Sequence, residues 1–226
     1  MQVEIVKGPG SAAAKLQLGQ GETCTAEAGA MIAMSGHLSM STSTHKKNSG
    51  GLLKAAKRML AGESFFLNHY TADRGAGEVW LAPTMMGDMT TYDLENEKLI
   101  VQAGSFLAAE ETVDMDMGWQ GFKSILSGEN MFWLNMSGRG KLVLSSYGAI
   151  YPLSVNGEVI VDTGHIVAFN ESLTFEITKA GGSWMSSFLG GEGLVCKFIG
   201  NGTVWCQSHN RQSFGQTLGP MLRPRN

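Results

Sequence analysis

The chain has 226 residues, of which 43% are hydrophobic and 16% are charged, and its formal net charge is −3 at pH 7. This composition excludes a disordered chain, and without an excess of basic residues there is no electrostatic basis for nucleic-acid binding. The 30 glycines favour many short strands that are joined by tight turns. We therefore expect one compact globular body and no nucleic-acid partner.

Three successive segments of the chain carry the same features in the same order. Each has a short Gly-centred motif, then an apolar helical segment that ends in Gly and Glu, and then a Gly-led strand. In unit 1, residues 1–86, these features are 28–33, 51–62 with Glu63, and 77–80. Unit 1 is the longest because it also contains a polar insertion at 39–51.

The next two units repeat this order. In unit 2, residues 87–147, the features are 103–108, 119–127 with Glu129, and 140–143. In unit 3, residues 148–210, they are 163–168, 183–189 with Glu192, and 202–205. Repetition of this kind predicts equivalent units, here arranged about a pseudo-threefold axis. The remaining residues, 211–226, are predicted to be a C-terminal tail.

Strands dominate the predicted secondary structure. Short β runs that are bounded by turn residues lie at 99–102, 141–144, 158–161, 173–177 and 203–206. The dipeptides Asn156-Gly157 and Asn201-Gly202 lie between such runs and predict two-residue hairpin turns. The predicted fold class is therefore all-β: three tandem β-sandwich or short double-stranded β-helix-like units, with short helices between strands.

The polar residues form no recognisable catalytic or metal-binding motif. None of the five histidines has the spacing of a zinc site, and the chain has no Gly-x-Ser-x-Gly nucleophile motif. The three cysteines, Cys24, Cys196 and Cys206, are odd in number and far apart, which is typical of a reducing compartment. We predict no catalytic residues, no metal and no cofactor, and hence a protein that is not an enzyme.

Three carboxylates occupy equivalent positions in the repeat: Glu63, Glu129 and Glu192. One interpretation is a ring of carboxylates about the pseudo-threefold axis, which would hold a cation or a basic partner. The other is that each Glu accepts hydrogen bonds from a nearby turn, repeated because the unit is repeated. Converging carboxylates repel one another and raise each other's pKa, which favours the second interpretation.

The three helical segments form a candidate interaction surface, which we call the helical face. The segment at 51–62 is basic and amphipathic, as in helices that lie on membrane surfaces or in a partner's groove. The alternative is that these side chains close the cores of their own units. The helical face consists of Leu52, Leu53, Lys54, Lys57, Arg58, Met59, Leu60, Phe122, Ile125, Trp184, Phe188 and Leu189.

The run at 57–66, the segment Gly-Glu-Val-Trp-Leu-Ala-Pro at 77–83 and the Gly-Gly-Glu-Gly at 190–193 resemble the altered-inheritance-of-mitochondria family. That resemblance covers nearly the whole chain. It implies a fold like the trp RNA-binding attenuation protein, a short double-stranded β-helix, in tandem copies. The mitochondrial members are linked to inner-membrane organisation. The resemblance supplies no catalytic residues, and the chain lacks the repeated basic rim of an RNA-binding ring.

Together these features predict a non-enzymatic scaffold or interaction protein. The alternative is a module that binds a small ligand or nucleic acid within the β units. Short Gly-rich strands leave unpaired edges, so we expect a homo-oligomer. No signal peptide or apolar run of about 20 residues is found in the sequence, which predicts a cytoplasmic protein. The basic helical segment extends this prediction to peripheral attachment at a membrane, with the membrane surface or a membrane protein as the partner.

Overall fold

The computed structural model describes residues 1–44, 66–116, 133–179 and 194–223. Most of these residues lie in antiparallel strands, and the described part contains a single short α-helix. The all-β prediction is therefore confirmed. The predicted helical segments fall outside the described residues.

The described residues of unit 1 form seven strands. Four of them form one sheet in the order β1-β2-β7-β4, and the other three join the larger sheet that continues into units 2 and 3. The strands are β1 (Gln2–Lys7), β2 (Ala12–Leu18), β3 (Thr23–Glu27), β4 (Met31–Met34), β5 (Ser39–Thr44), β6 (Phe66–Thr71) and β7 (Gly77–Leu81).

Units 2 and 3 each contain a short 3₁₀ helix and a long final strand. The strands of unit 2 are β8 (Met89–Glu95), β9 (Leu99–Gln102), β10 (Phe106–Glu110), β11 (Val113–Asp116) and β12 (Trp133–Ser145). Those of unit 3 are β13 (Ile150–Asp162), β14 (Ile166–Asn170), β15 (Thr174–Lys179) and β16 (Leu194–Gln207). The 3₁₀ helices are Ala103–Ser105 and Thr163–His165, and helix α1 (Arg211–Leu218) follows unit 3.

The larger sheet joins the three units. Its strands run in the order β13-β16-β14-β9-β12-β10-β3-β6-β5, and β8, β11 and β15 pair along the long strands β12 and β16. Two pairs cross the unit boundaries: β3 with β10, and β9 with β14. Strands of all three units therefore belong to one continuous sheet.

Each unit contributes most of one apolar core, and the cores extend across the unit boundaries. Alternation along β2 buries Ala12, Ala14, Leu16 and Leu18 on one face, as the period of a strand requires. Leu107 of unit 2 belongs to the core of unit 1. Burial of this kind makes neighbouring units depend on each other for their hydrophobic stabilisation.

Two predicted hairpin turns are wrong. Asn156-Gly157 lies inside β13 and Asn201-Gly202 lies inside β16, and these two stretches pair with each other. Gly157 and Gly200 face each other in this ladder, and both have positive φ, 103° and 127°. The glycines therefore serve as bends that carry a long strand pair from one part of the sheet to another, a role that Gly has inside strands.

Three strands at corresponding positions of the predicted repeat share an irregularity. Strands β4, β10 and β14 each pair with the last strand of their own unit, and each has a register shift at its start, between Met31 and Ala33, Phe106 and Ala108, and Ile166 and Ala168. Gly104 and Gly164 lie at the centres of the two 3₁₀ helices. A pseudo-threefold axis through the three units stays a prediction.

The predicted C-terminal tail contains helix α1, which the sequence analysis missed. Its start is capped by Asn210, whose side-chain oxygen accepts hydrogen bonds from the backbone N–H of Gln212 at 2.8 Å and of Ser213 at 3.3 Å. Asn is among the best N-cap residues, so this signal was present in the sequence.

Candidate functional site

The residues predicted for the site lie outside the described part of the chain. Glu63, Glu129 and Glu192, and all residues of the helical face, fall within 45–65, 117–132 and 180–193. Their two interpretations therefore stay open. The candidate site consists of two of the unpaired sheet edges, on β4 and on the second half of β13, which we call the open ends; the sequence did not predict these residues.

One open end is strand β4. Among the described strands, β4 pairs with β7 only, which leaves its second edge without a ladder. Met31, Ile32 and Ala33 on this strand are exposed, and Ile32 has 57% of its surface in contact with solvent. The corresponding strands β10 and β14 pair on both edges, and their first four residues are buried.

The other open end is the second half of β13. Within the described residues this strand pairs with β16 only. Ile160 is 59% exposed, whereas Ile100 at the corresponding position of β9 is fully buried beneath its partner strand β14. An apolar side chain left in water instead of a core forgoes about 1.5–3 kcal/mol. The open ends are therefore apolar surfaces whose exposure to water is energetically unfavourable.

Helix α1 forms a third exposed apolar surface. Phe214, Leu218, Met221 and Leu222 are exposed on it or just after it. The helix is attached to unit 2 because the Arg211 guanidinium donates a hydrogen bond of 2.6 Å to the carbonyl oxygen of Gly104. The ring of Phe214 also packs edge-on against Tyr147, with 5.7 Å between the ring centroids.

Glu27 lies at the end of β3, which pairs with β10 of unit 2. Burial raises the pKa of this carboxyl to about 7, although the positive charge of Arg211 partly opposes the shift. A group whose pKa is raised by folding stabilises the fold below its unfolded pKa, and this contribution is lost as pH rises through the folded pKa. The affected window is pH 4.5 to 7.

We expect Glu27→Gln to remove this pH dependence. Below pH 4.5 the variant and the wild type should be equally stable, because the wild-type carboxyl is then neutral in both states. Above pH 7 the variant should be more stable by about 1 kcal/mol, a value reduced from the full shift because the side chain is only half-buried. Urea unfolding at pH 4.5, 6 and 8 measures the difference, and the exposed Glu111→Gln serves as the control. A constant difference at all three pH values would contradict the expectation.

A shallow cleft lies where the three units meet. It has a volume of about 260 Å³ and is lined by 7–12, 87–88 and 148–149. Its charged side chains neutralise each other, since Lys7 Nζ lies 2.9 Å from Asp88 Oδ1. Ligand pockets usually measure about 300–1,000 Å³ and contain polar groups that are free to bind. The cleft is therefore a weak candidate for a binding site.

The cysteines are poorly suited to nucleophilic chemistry. Burial raises the pKa of Cys24 and Cys196 to about 12, and that of Cys206 to about 11. The reactive form of cysteine is the thiolate, so very little of it is present near neutral pH. Within the described ranges, no group of three or more His, Cys, Asp or Glu side chains is placed to hold a metal ion.

None of the helices in the described part of the chain is long and apolar enough to cross a membrane.

A family model, Mitochondrial biogenesis AIM24, matches residues 3–209. An uncharacterised protein of Streptococcus pyogenes serotype M6 is 29% identical over 210 residues, which cover 90% of this chain and 84% of that protein. A crystal structure of a Streptococcus pyogenes protein superposes with a TM-score of 0.80 at 26% identity and covers 98% of this chain and 99% of that one.

Proposed function

Since the chain belongs to the Mitochondrial biogenesis AIM24 family, we propose that it is a non-enzymatic scaffold, which binds protein chains through the open ends of its sheets. The observation that supports this proposal is a difference in burial between corresponding strands. The residues of β4 are exposed, whereas those of β10 and β14 are buried by a neighbouring unit. An apolar strand with an unpaired edge can bind another strand, because its free backbone N–H and C=O groups can pair with that strand.

The chemistry of the described residues supports binding over catalysis. The cysteines are held as thiols, and the charges of the cleft are paired. The alternative function, a module that binds a small ligand or nucleic acid, has less support. The cleft is small, and the charge of Lys7 is paired with that of Asp88. Attachment to a membrane rests on the basic sequence of 51–62 alone and is proposed as an additional property.

Photo-crosslinking in living cells tests the proposal. A photoreactive phenylalanine analogue placed at Ile32 or Ile160 should form covalent adducts with protein chains, because both side chains are exposed and apolar. The same analogue at the exposed Glu111 serves as the control and should form few adducts. Gel mobility and mass spectrometry measure the products. If neither Ile32 nor Ile160 gave more adducts than Glu111, the scaffold proposal would be wrong.

A further inference from the structure

Two strand pairs join neighbouring units inside the chain, β3 with β10 and β9 with β14, and we call them junctions. Both junctions have the same register. At the first, Ala108 of β10 lies opposite Ala26 of β3. At the second, Ala168 of β14 lies opposite Val101 of β9. In both, the first residue lies four positions after the Gly of its own unit's motif, and the second lies three positions before the Gly of the preceding unit. A single pairing rule therefore describes both junctions.

The open ends carry the two halves of a third such junction. Applied to Gly29 of unit 1, the rule selects Ala33 on β4. Applied to Gly164 of unit 3, it selects Val161 on β13. The adjacent residues Met34 and Ile160 then lie opposite each other, as Phe169 and Ile100 do at the second junction. In the described structure of one chain, β4 and β13 lie in different sheets and do not pair.

We infer that the partner of both open ends is a second copy of this chain. Strand β4 of one copy pairs antiparallel with residues 159–161 of the next copy, in the register Ala33 with Val161 and Met34 with Ile160. This inference rests on the proposed scaffold function and names its partner. The contact is head-to-tail, so it leaves one open end on each outer chain and repeats until a ring closes or a filament grows.

The side chains at the two ends are suited to this contact. Ile32 corresponds to Leu107, which packs into the core of unit 1, and to Val167, which packs into the core of unit 2. By the same step, Ile32 enters the core of unit 3 of the neighbouring copy. Ile160 corresponds to Ile100, which is fully buried in the core of unit 3, so Ile160 enters the core of unit 1 of the copy that supplies β4. The contact also pairs the open backbone edges of both strands, which natural sheets otherwise have to protect.

Two charge substitutions separate the two ends. Ile32→Glu should disable the β4 end and Ile160→Glu the β13 end, and both side chains are exposed, so the fold of a single chain should be retained. Each variant alone should be a monomer of 24.2 kDa, since a head-to-tail contact needs both ends intact. An equimolar mixture should give a dimer and nothing larger, because one intact end of each kind remains. The wild type and the control Met86→Glu, which changes an exposed apolar residue off both ends, should form larger assemblies.

Light scattering coupled to size-exclusion chromatography measures these masses, and thermal unfolding confirms that each variant is folded. Assemblies that persist in either single variant, or a mixture that stays monomeric, would overturn the inference. A monomeric wild type would also overturn it. The scaffold proposal would survive any of these results if photo-crosslinking at Ile32 and Ile160 still captured other proteins.

Disulfide formation tests the register. Residues that face each other across an antiparallel pair have Cα atoms about 4.5–5.5 Å apart, which is within disulfide range. The double variant Met34→Cys/Ile160→Cys should therefore form covalent multimers on mild oxidation. Met34→Cys/Tyr151→Cys is the matched control, because Tyr151 is also exposed on β13 but lies about 30 Å from Ile160 along the strand. Equal cross-linking in the two variants, or a link within one chain, would contradict the register.

Discussion

Replacing Phe169 by alanine will lower the free energy of unfolding by about 4 kcal/mol, because it removes the central ring of an aromatic cluster. Phe169 is almost fully buried, and its ring centroid lies 5.7 Å from that of Trp133, 5.8 Å from that of Phe175 and 5.0 Å from that of Phe198. Trp133 belongs to unit 2 and the other two rings to unit 3, so the cavity would open at the junction between units.

Urea unfolding followed by far-ultraviolet circular dichroism measures this effect. The control is Phe214→Ala on helix α1, where the ring is exposed, and its cost should stay below about 1 kcal/mol. A loss at Phe169 as small as the loss at Phe214 would show that the junction does not depend on this cluster.

Gly87→Ala will destabilise the chain by about 3 kcal/mol, because an added methyl group has no space at this position. It would overlap the carbonyl oxygen of Ser146 and lie 2.7 Å from the carbonyl oxygen of Gly148. Both obstacles are backbone atoms, so the strands themselves would have to move. That movement would disturb the bridge between Gly87 and Gly148 and the hydrogen bond of 2.9 Å from the Ala12 N–H to the Gly87 carbonyl. These contacts tie all three units together.

Gly10→Ala is the matched control, since nothing lies within 4 Å of the methyl group that it would add. Its effect on the unfolding free energy should be within about 0.5 kcal/mol. Thermal unfolding of both variants compares them directly. If Gly87→Ala were as stable as Gly10→Ala, the meeting point of the units would have to be far more adaptable than its backbone contacts indicate.

Strand prediction succeeded for short apolar runs that are bounded by turn residues, because this signal is local in the sequence. The run at 99–102 coincides with β9, and the runs at 141–144, 158–161 and 203–206 lie inside β12, β13 and β16. The predicted turn at Asn156-Gly157 failed because a glycine that supports a tight turn also supports a bend inside a long strand. Which of the two it makes depends on the strand that pairs with it, and this partner is distant in the sequence.

The candidate site was less predictable than the fold. The general expectation of unpaired strand edges and self-association came from the sequence, and we now propose β4 and β13 as those edges. Their identity was hidden because β4, β10 and β14 carry similar apolar residues. Repetition makes corresponding segments look equivalent, whereas their surroundings in the folded chain differ.

By itself, the sequence determined the all-β class, the family and the order of repeated features, because these depend on local periodicity and on residues that lie near one another along the chain. Only the tertiary structure decided which copy of each feature is buried. Ile32 and Leu107 occupy corresponding positions, yet Leu107 is fully buried and Ile32 is exposed. The physical reason is that the burial of a strand depends on the neighbour that covers it: β10 lies beside β3 and β14 beside β9, whereas no described strand covers the second edge of β4 or of β13.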